Sequence, residues 1–309
     1  MNAHSTIRPH NALAERALLA SLRTKAWTAR KKDKVVTAET TSRYHAEDRA
    51  ASVTKKLLEC EEFDAVMAVI SRAGETHRSL TLPWLDGPKG APRILAVEAY
   101  PKYTNTMREH CESLDDAVRA FATVYPAARR AARSGLLGKM FDEQDYPEEI
   151  EGRFSIKTSL SPVPDARDWR VALGDEDVAI LRADVEAQAA EAMTSAVRDA
   201  YERVAAVVGK MAGTLRAYRP QNGDETGDRR RGPRKGSFKD TLVSNVADLA
   251  EILPLLNVSK DPALDAIAVR MKAGLAFHDP NELREYEHLR NEVADEAESI
   301  LRDIQSFLA

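Results

Sequence analysis

Cysteine is nearly absent from this sequence, and aromatic residues are scarce. The two cysteines, Cys60 and Cys111, are far apart, and neither has a Cys or His at the spacing of a metal site. We therefore expect no disulfide framework, and a reducing cytoplasm is the predicted location. Aromatic residues make up only 6% of the chain, so the core must be built mainly from Leu, Val, Ile and Ala.

Long apolar runs are also missing. No stretch approaches the roughly 18 apolar residues of a membrane-spanning helix, and the first residues lack the apolar segment of a signal peptide. We therefore expect neither a membrane anchor nor a secretion signal. With 43% apolar and 30% charged residues, the composition is typical of a soluble globular protein.

Motifs of catalysis and cofactor binding are absent too. There is no Gly-x-Ser-x-Gly sequence, and Gly135–Lys139 is too short for a phosphate-binding loop. Glu285 and His288 have the Glu-x-x-His spacing of di-iron helix bundles, but such a site needs a second copy. The sequence therefore favours a protein that is not an enzyme and has no cofactor or metal.

One alternative remains in an acidic segment. Residues 142–151 contain six carboxylates that could bind Mg²⁺ for phosphoryl chemistry, with Asp142 and Asp145 as the first ligands to test. They lack the fixed spacing of nuclease motifs, which favours a solvated loop. Such a loop could also mimic nucleic acid in a regulatory role.

Extended structure is predicted in only one part of the chain. The four β-type runs are residues 80–84, 93–100, 153–160 and 168–173, with a helical stretch over residues 113–141 that breaks at Pro126. The Gly- and Pro-rich residues 86–92 predict a hairpin between the first two runs. The fold class is therefore α+β, predominantly helical, with a small, mainly antiparallel sheet and a C-terminal helical subdomain.

Helices are predicted over most of the remaining chain. Their predicted ranges are residues 11–31, 37–58, 61–73 and 175–217, with a last helix that follows Asp279-Pro280 and continues to the C-terminal end. Thr37 and Asp261 are predicted N-caps, and Gly74 is a predicted helix end.

The predicted domain organisation has three parts. Residues 1–218 form a core domain of helices and sheet, and residues 238–309 form the C-terminal helical subdomain. Between them, residues 219–237 contain no apolar residue that could enter a core, which indicates a flexible basic linker or loop.

Charge is distributed unevenly, although the net charge is only -4. Residues 1–34 carry eight Lys or Arg against two acids, residues 126–140 carry four against none, and residues 229–239 carry six against none. Such segregation produces separate basic and acidic surfaces. Lys and Arg in a flexible linker can follow a phosphate backbone.

The polar face of the predicted sheet adds Arg153, Lys157 and Arg170 to these basic segments. Trp84, Tyr100 and Tyr103 could provide rings for stacking. A cationic groove with aromatic rings is how proteins bind single strands without reading sequence.

Four segments carry a resemblance to a known group of proteins. They are Trp27-Thr-Ala-Arg-Lys-Lys-Asp33, Met140-Phe…Tyr146-Pro…Phe154, Asp168-Trp-Arg-Val171 and Leu253-Pro-Leu-Leu-Asn257…Asp261-Pro262. Together they resemble uncharacterised bacteriophage and prophage proteins that occur among replication and recombination genes. The resemblance implies a context of nucleic-acid metabolism and no catalytic residues.

The sequence thus predicts a non-catalytic protein that binds nucleic acid, with single-stranded DNA as the expected ligand and a homo-oligomer as a possible assembly. The predicted phosphate-binding residues are Lys31, Lys32, Arg153, Lys157, Arg170, Arg229, Arg230, Arg231, Arg234 and Lys235. The alternative is a structural or adaptor protein that self-assembles or meets a protein partner through its helices.

Overall fold

The computed structural model describes residues 12–47, 49–85, 90–165, 175–219 and 238–308. Over these residues the fold is mostly helical with a small antiparallel sheet, which confirms the predicted α+β class. The helices are α1 (Ala12–Arg16), α2 (Lys34–Arg43), α3 (Glu61–Ser79), α4 (Tyr100–Ala131), α5 (Asp175–Ala217), α6 (Thr241–Leu256), α7 (Pro262–Arg270), α8 (Pro280–Glu285) and α9 (Glu287–Leu308). The strands are β1 (Ala17–Lys25), β2 (Arg30–Lys32), β3 (Thr54–Lys56), β4 (Leu82–Pro83), β5 (Arg93–Ala96) and β6 (Ser155–Pro162).

The chain divides into two compact units. The first, here called the helical unit, comprises Met1–Ala20, Leu80–Pro101 and Leu160–Ala309. The second, here called the ribbon unit, comprises Ser21–Ser79 and Lys102–Ser159. Each unit is therefore assembled from segments that are distant in sequence.

The predicted linker cannot be compared with this division. Residues 220–237 lie outside the described residues, so the three-part organisation stays a prediction. The C-terminal residues after 237 do form helices, as expected.

The larger sheet has the strand order β4-β5-β1-β6. β4 and β5 pair antiparallel, with Leu82 opposite Ile94, which confirms the predicted pairing of the first two β-type runs. Of the later runs, residues 153–160 are mostly in β6, whereas residues 168–173 lie outside the described part of the chain.

β1 corrects the helix predicted over residues 11–31. Only Ala12–Arg16 is helical, and Ala17 begins a strand that pairs antiparallel with β5, from Ala17 opposite Ala96 to Ala20 opposite Arg93. A short apolar run rich in Leu and Ala fits the period of a helix and of a buried strand equally well. Pairing with β5 decides the outcome, because Ala17, Leu19 and Ala20 are all buried in the sheet.

The helix predicted over residues 37–58 is also wrong. α2 begins earlier because the Asp33 carboxylate caps it, accepting a hydrogen bond from the Val36 N–H at 3.0 Å. Thr37, the predicted cap, lies inside α2 and is buried. The chain then forms β3, which pairs with β2.

Two predicted helix breaks do not occur. Gly74 lies inside α3, and Pro126 lies inside α4. Buried side chains occur beyond both predicted breaks, namely His77 in α3 and Ala132 directly after α4. Tertiary packing therefore outweighs the local preference of Gly and Pro, which is a weak guide in a buried helix.

The helical unit is organised around α5, whose bounds agree with the predicted residues 175–217. α9 runs antiparallel to it: Arg216 near the end of α5 pairs with Glu298, whereas Tyr201 stacks on Phe307 with ring centroids 4.3 Å apart. The predicted caps Asp261 and Asp279 are confirmed. The single predicted last helix is instead two, α8 and α9, which are separated at Tyr286.

The ribbon unit has an aromatic core. Neighbouring ring centroids in it are 5.5–6.5 Å apart. Its members are Trp27, Phe63, Phe121, Tyr125, Tyr146 and Phe154. Pairs at such distances add about 0.5–1.5 kcal/mol each beyond the burial of their area, so a few rings suffice for this unit.

Within the described ranges, no helix has both the length and the apolar character needed to cross a membrane.

Candidate nucleic-acid interface

A two-stranded ribbon of β2 and β3 carries the densest positive charge of the ribbon unit. Five of its six residues are Lys or Arg. The strands are antiparallel, with Arg30 opposite Lys56, Lys31 opposite Lys55 and Lys32 opposite Thr54. Because side chains alternate along a strand, Lys31 and Lys55 share one face, called the inner face here. The other four residues form the outer face.

The inner face is neutralised by one carboxylate. Asp145 is almost fully buried, and its Oδ1 lies 2.9 Å from Lys31 Nζ while its Oδ2 lies 2.6 Å from Lys55 Nζ. The Lys55 contact is an ion pair, since Oδ2 makes no hydrogen bond of good geometry. Lys55 Nζ also donates a hydrogen bond to the Met140 carbonyl at 2.7 Å. This face therefore holds the ribbon in place.

Protonation equilibria reflect this pairing. Burial alone would raise the pKa of the Asp145 carboxyl group, but the ammonium groups of Lys55 and Lys31 outweigh burial and lower this pKa below its usual range. Asp145 in turn raises the pKa of Lys31. Asp145 and Lys31 are therefore both charged at neutral pH.

The outer face differs because its cations are exposed and largely unpaired. Lys56 meets only the exposed Glu59, at 3.2 Å. Arg30 and Lys32 have no ion pair among the described residues. Like charges directly opposite each other, as with Arg30 and Lys56, destabilise a strand pair. This face thus has a chemistry that suits an anionic ligand and does not help the fold.

The structure places four of the ten predicted phosphate-binding residues. Lys31 and Lys32 both lie on the ribbon but on opposite faces, and Lys31 forms an ion pair with Asp145. Arg153 and Lys157 are exposed on a separate segment of the ribbon unit, just before and within β6. The other six predicted residues, Arg170, Arg229, Arg230, Arg231, Arg234 and Lys235, lie outside the described residues.

The predicted stacking rings are mostly in the interior. Trp84 and Tyr103 are buried, so they cannot receive a base. Tyr103 Oη lies 2.9 Å from His77 Nδ1, and burial raises the pKa of its hydroxyl to about 12. Tyr100 is the exception, since 42% of its surface is exposed.

No protein-family model, curated protein or solved structure matches this chain.

Sequence reasoning missed Arg30, Lys55 and Lys56 as site residues. Residues 11–31 and 37–58 were both assigned to helices on local periodicity. This assignment left no strands on which these side chains could converge. The Arg30-Lys31-Lys32 and Lys55-Lys56 runs were visible in the sequence. Their pairing was not, since it depends on the chain returning after α2.

Three of the six carboxylates in the acidic segment contact protein groups, although only Asp145 is buried. Asp145 holds the two ribbon lysines, and Asp142 caps a short turn by accepting a hydrogen bond from the Gln144 N–H at 3.0 Å. Glu143 pairs with Arg129 and Arg133. No cluster of three metal-ligating side chains occurs in the parts of the chain that the structure describes.

Proposed function

We propose that this protein binds single-stranded DNA without catalysis, and that the outer face of the β2–β3 ribbon contacts the phosphates. The observation that carries the proposal is the set of exposed cations Arg30, Lys32 and Lys56 on one face of a fixed ribbon. Arg30 and Lys32 are two residues apart on a strand, which spaces them by about 6.7 Å. That spacing is comparable to the separation of successive phosphates in an extended single strand.

Two further observations support the proposal. Arg153 and Lys157 are exposed on another segment of the same unit and add to its exposed positive charge. The resemblance to phage and prophage proteins adds a context of replication or recombination in a bacterial cytoplasm, where the protein would act as an oligomer on its strand.

The test is to neutralise the outer face in the variant R30Q/K32Q/K56Q and to titrate a labelled oligo-dT by fluorescence anisotropy at several salt concentrations. Each phosphate contact to a single strand contributes about 0.7 to the slope of log affinity against log salt. We expect weaker binding at low salt and a slope smaller by about 2 for three lost contacts.

The matched control is R182Q/K210Q/K272Q, which removes the same net charge from exposed residues of the helical unit. This control should bind like the wild type. Absence of wild-type binding at low salt, or equal losses in the two triple variants, would refute the proposal.

A second candidate is a structural or adaptor protein that assembles through its helices. It is favoured by large apolar side chains on the surface of the helical unit, with Phe277 85% exposed, Val269 66% and Ile180 57%. Exposed apolar groups of this size mark contacts between proteins when they are contiguous. Light scattering that shows a self-assembled species indifferent to DNA would favour this function.

A further inference from the structure

The turn that follows α4 presents cations and apolar groups together. Over residues 133–141, here called the basic turn, the sequence contains Arg133 and Lys139 and no acid. Leu136 is 40% exposed and Met140 37%, whereas Leu137 is buried and anchors the turn. Two partly exposed apolar side chains therefore lie in the same turn as two cations.

The basic turn is held firmly within the ribbon unit. Its Met140 carbonyl accepts the 2.7 Å hydrogen bond from Lys55 of the ribbon. The Phe141 ring stacks on the buried Tyr146 ring, with centroids 5.1 Å apart and planes 29° apart. The apolar groups are therefore presented by a supported turn next to the ribbon.

A guanidinium group lies over the Phe141 ring of this stacked pair. The Arg133 Cζ lies over the Phe141 ring, 5.8 Å from its centroid, and the Arg133 side chain is 72% exposed. Its nearest carboxylate is Glu143, at 3.7 Å. The buried Tyr146, the half-buried Phe141 and the exposed Arg133 thus lead from the core to solvent.

We infer that the basic turn is a stacking site for unpaired nucleobases. Bases stack on aromatic rings and on guanidinium planes, and each stacked base contributes about 1–3 kcal/mol by alanine substitution. A base would stack on the exposed plane of the Arg133 guanidinium. Leu136 and Met140 would contact the apolar edges of the neighbouring bases. Lys139 would meet the connecting phosphate.

This inference rests on the proposed function and makes it more specific. The ribbon explains attraction to any phosphate backbone, including that of a duplex. Paired bases are already stacked on each other, so only a single strand can offer base faces to Arg133. The basic turn would therefore select single strands over duplexes.

The test compares two oligonucleotides with equal numbers of phosphates, one of oligo-dT and one abasic. In the variant L136S/M140S/R133Q, we expect affinity for oligo-dT to fall by more than about tenfold. Affinity for the abasic strand should fall only by the effect of one lost positive charge, which R133Q titrated against the same abasic strand measures. Crosslinking of an iododeoxyuridine strand should label the peptide that contains residues 133–141.

The matched control is V269S/F277S, which removes exposed apolar groups from the helical unit and should leave both affinities unchanged. Equal losses for the two oligonucleotides, or crosslinks only elsewhere, would overturn the stacking site and leave the ribbon proposal intact. Failure of the wild type to bind either strand would instead refute the proposed function itself.

Discussion

Asp145 is the residue on which the charge balance of the ribbon depends. Its side chain is only 3% exposed, and its carboxylate lies against the ammonium groups of Lys31 and Lys55. The Lys55 side chain is itself only 8% exposed. Removing one partner of a buried pair costs more than the pair contributes, because the remaining charge stays buried without compensation. The β2–β3 ribbon should therefore be more sensitive to this carboxylate than to any of its own exposed cations.

We predict that Asp145→Asn lowers the free energy of unfolding of the ribbon unit by about 2–4 kcal/mol. The range lies somewhat below the value for a fully buried pair, because Lys31 is half-exposed and screened by solvent. Hydrogen exchange of peptides from β2 and β3 would measure it. The matched control, Asp115→Asn, changes an exposed carboxylate of α4 and should shift exchange very little; similar effects of the two substitutions would contradict the role of Asp145.

Acid should reveal the same interaction in the wild type. The folded-state pKa of Asp145 is lowered, so its contribution to stability is complete above the unfolded pKa of about 4. That contribution is lost as the pH falls through the lowered folded-state pKa. The difference in stability between the wild type and Asp145→Asn should thus be largest near neutral pH and shrink in acid.

At the scale of elements, two glycines of the helical unit, Gly213 in α5 and Gly274 after α7, can be compared directly. Gly213 lies inside α5, and a Cβ atom built there meets nothing within 4 Å, whereas at Gly274, in the π turn after α7, it would lie 2.9 Å from Glu296 Cγ. Gly in a helix interior costs about 1 kcal/mol relative to Ala. Gly213 therefore weakens α5 without a packing reason.

We predict that Gly213→Ala stabilises the helical unit by about 0.5–1 kcal/mol. Gly274→Ala should fail to stabilise, because Glu296 must shift from its ion pair with Arg270. Thermal unfolding of the two variants would measure the contrast. A loss of stability in Gly213→Ala would show that the space beside this glycine is used.

At the scale of the whole molecule, the long helix α5 and the strands β4, β5 and β6 were predictable, whereas β1, β2 and β3 were not. α5 and the caps at Asp261 and Asp279 follow from local periodicity and side-chain chemistry, which act within a few residues. β1, β2 and β3 were assigned to helices, because a strand exists only through a partner that the local sequence does not contain. The four-stranded sheet needed β5, whose residues lie more than seventy positions after their partners in β1.

The candidate interface was predictable only in part, for the same reason. The lysines at 31 and 32 were recognised from charge alone, but the inward or outward direction of each depends on the register with β3. Asp145 illustrates the limit most clearly. In sequence it is one of six acids in a solvated loop, and in the fold it is the buried counter-ion of the ribbon.

The ribbon lysines and their counter-ion Asp145 are far apart in sequence, and this has a consequence for how the protein can evolve. Residues 55 and 145 are encoded far apart, yet each is costly without the other, because either charge alone would be buried unpaired. In diverging copies of this gene we therefore expect the two positions to change together, for example to a pair of neutral side chains. Arg30 and Lys32 face solvent, so neither depends on a second residue in this way. We expect them to be retained only where a ligand requires them.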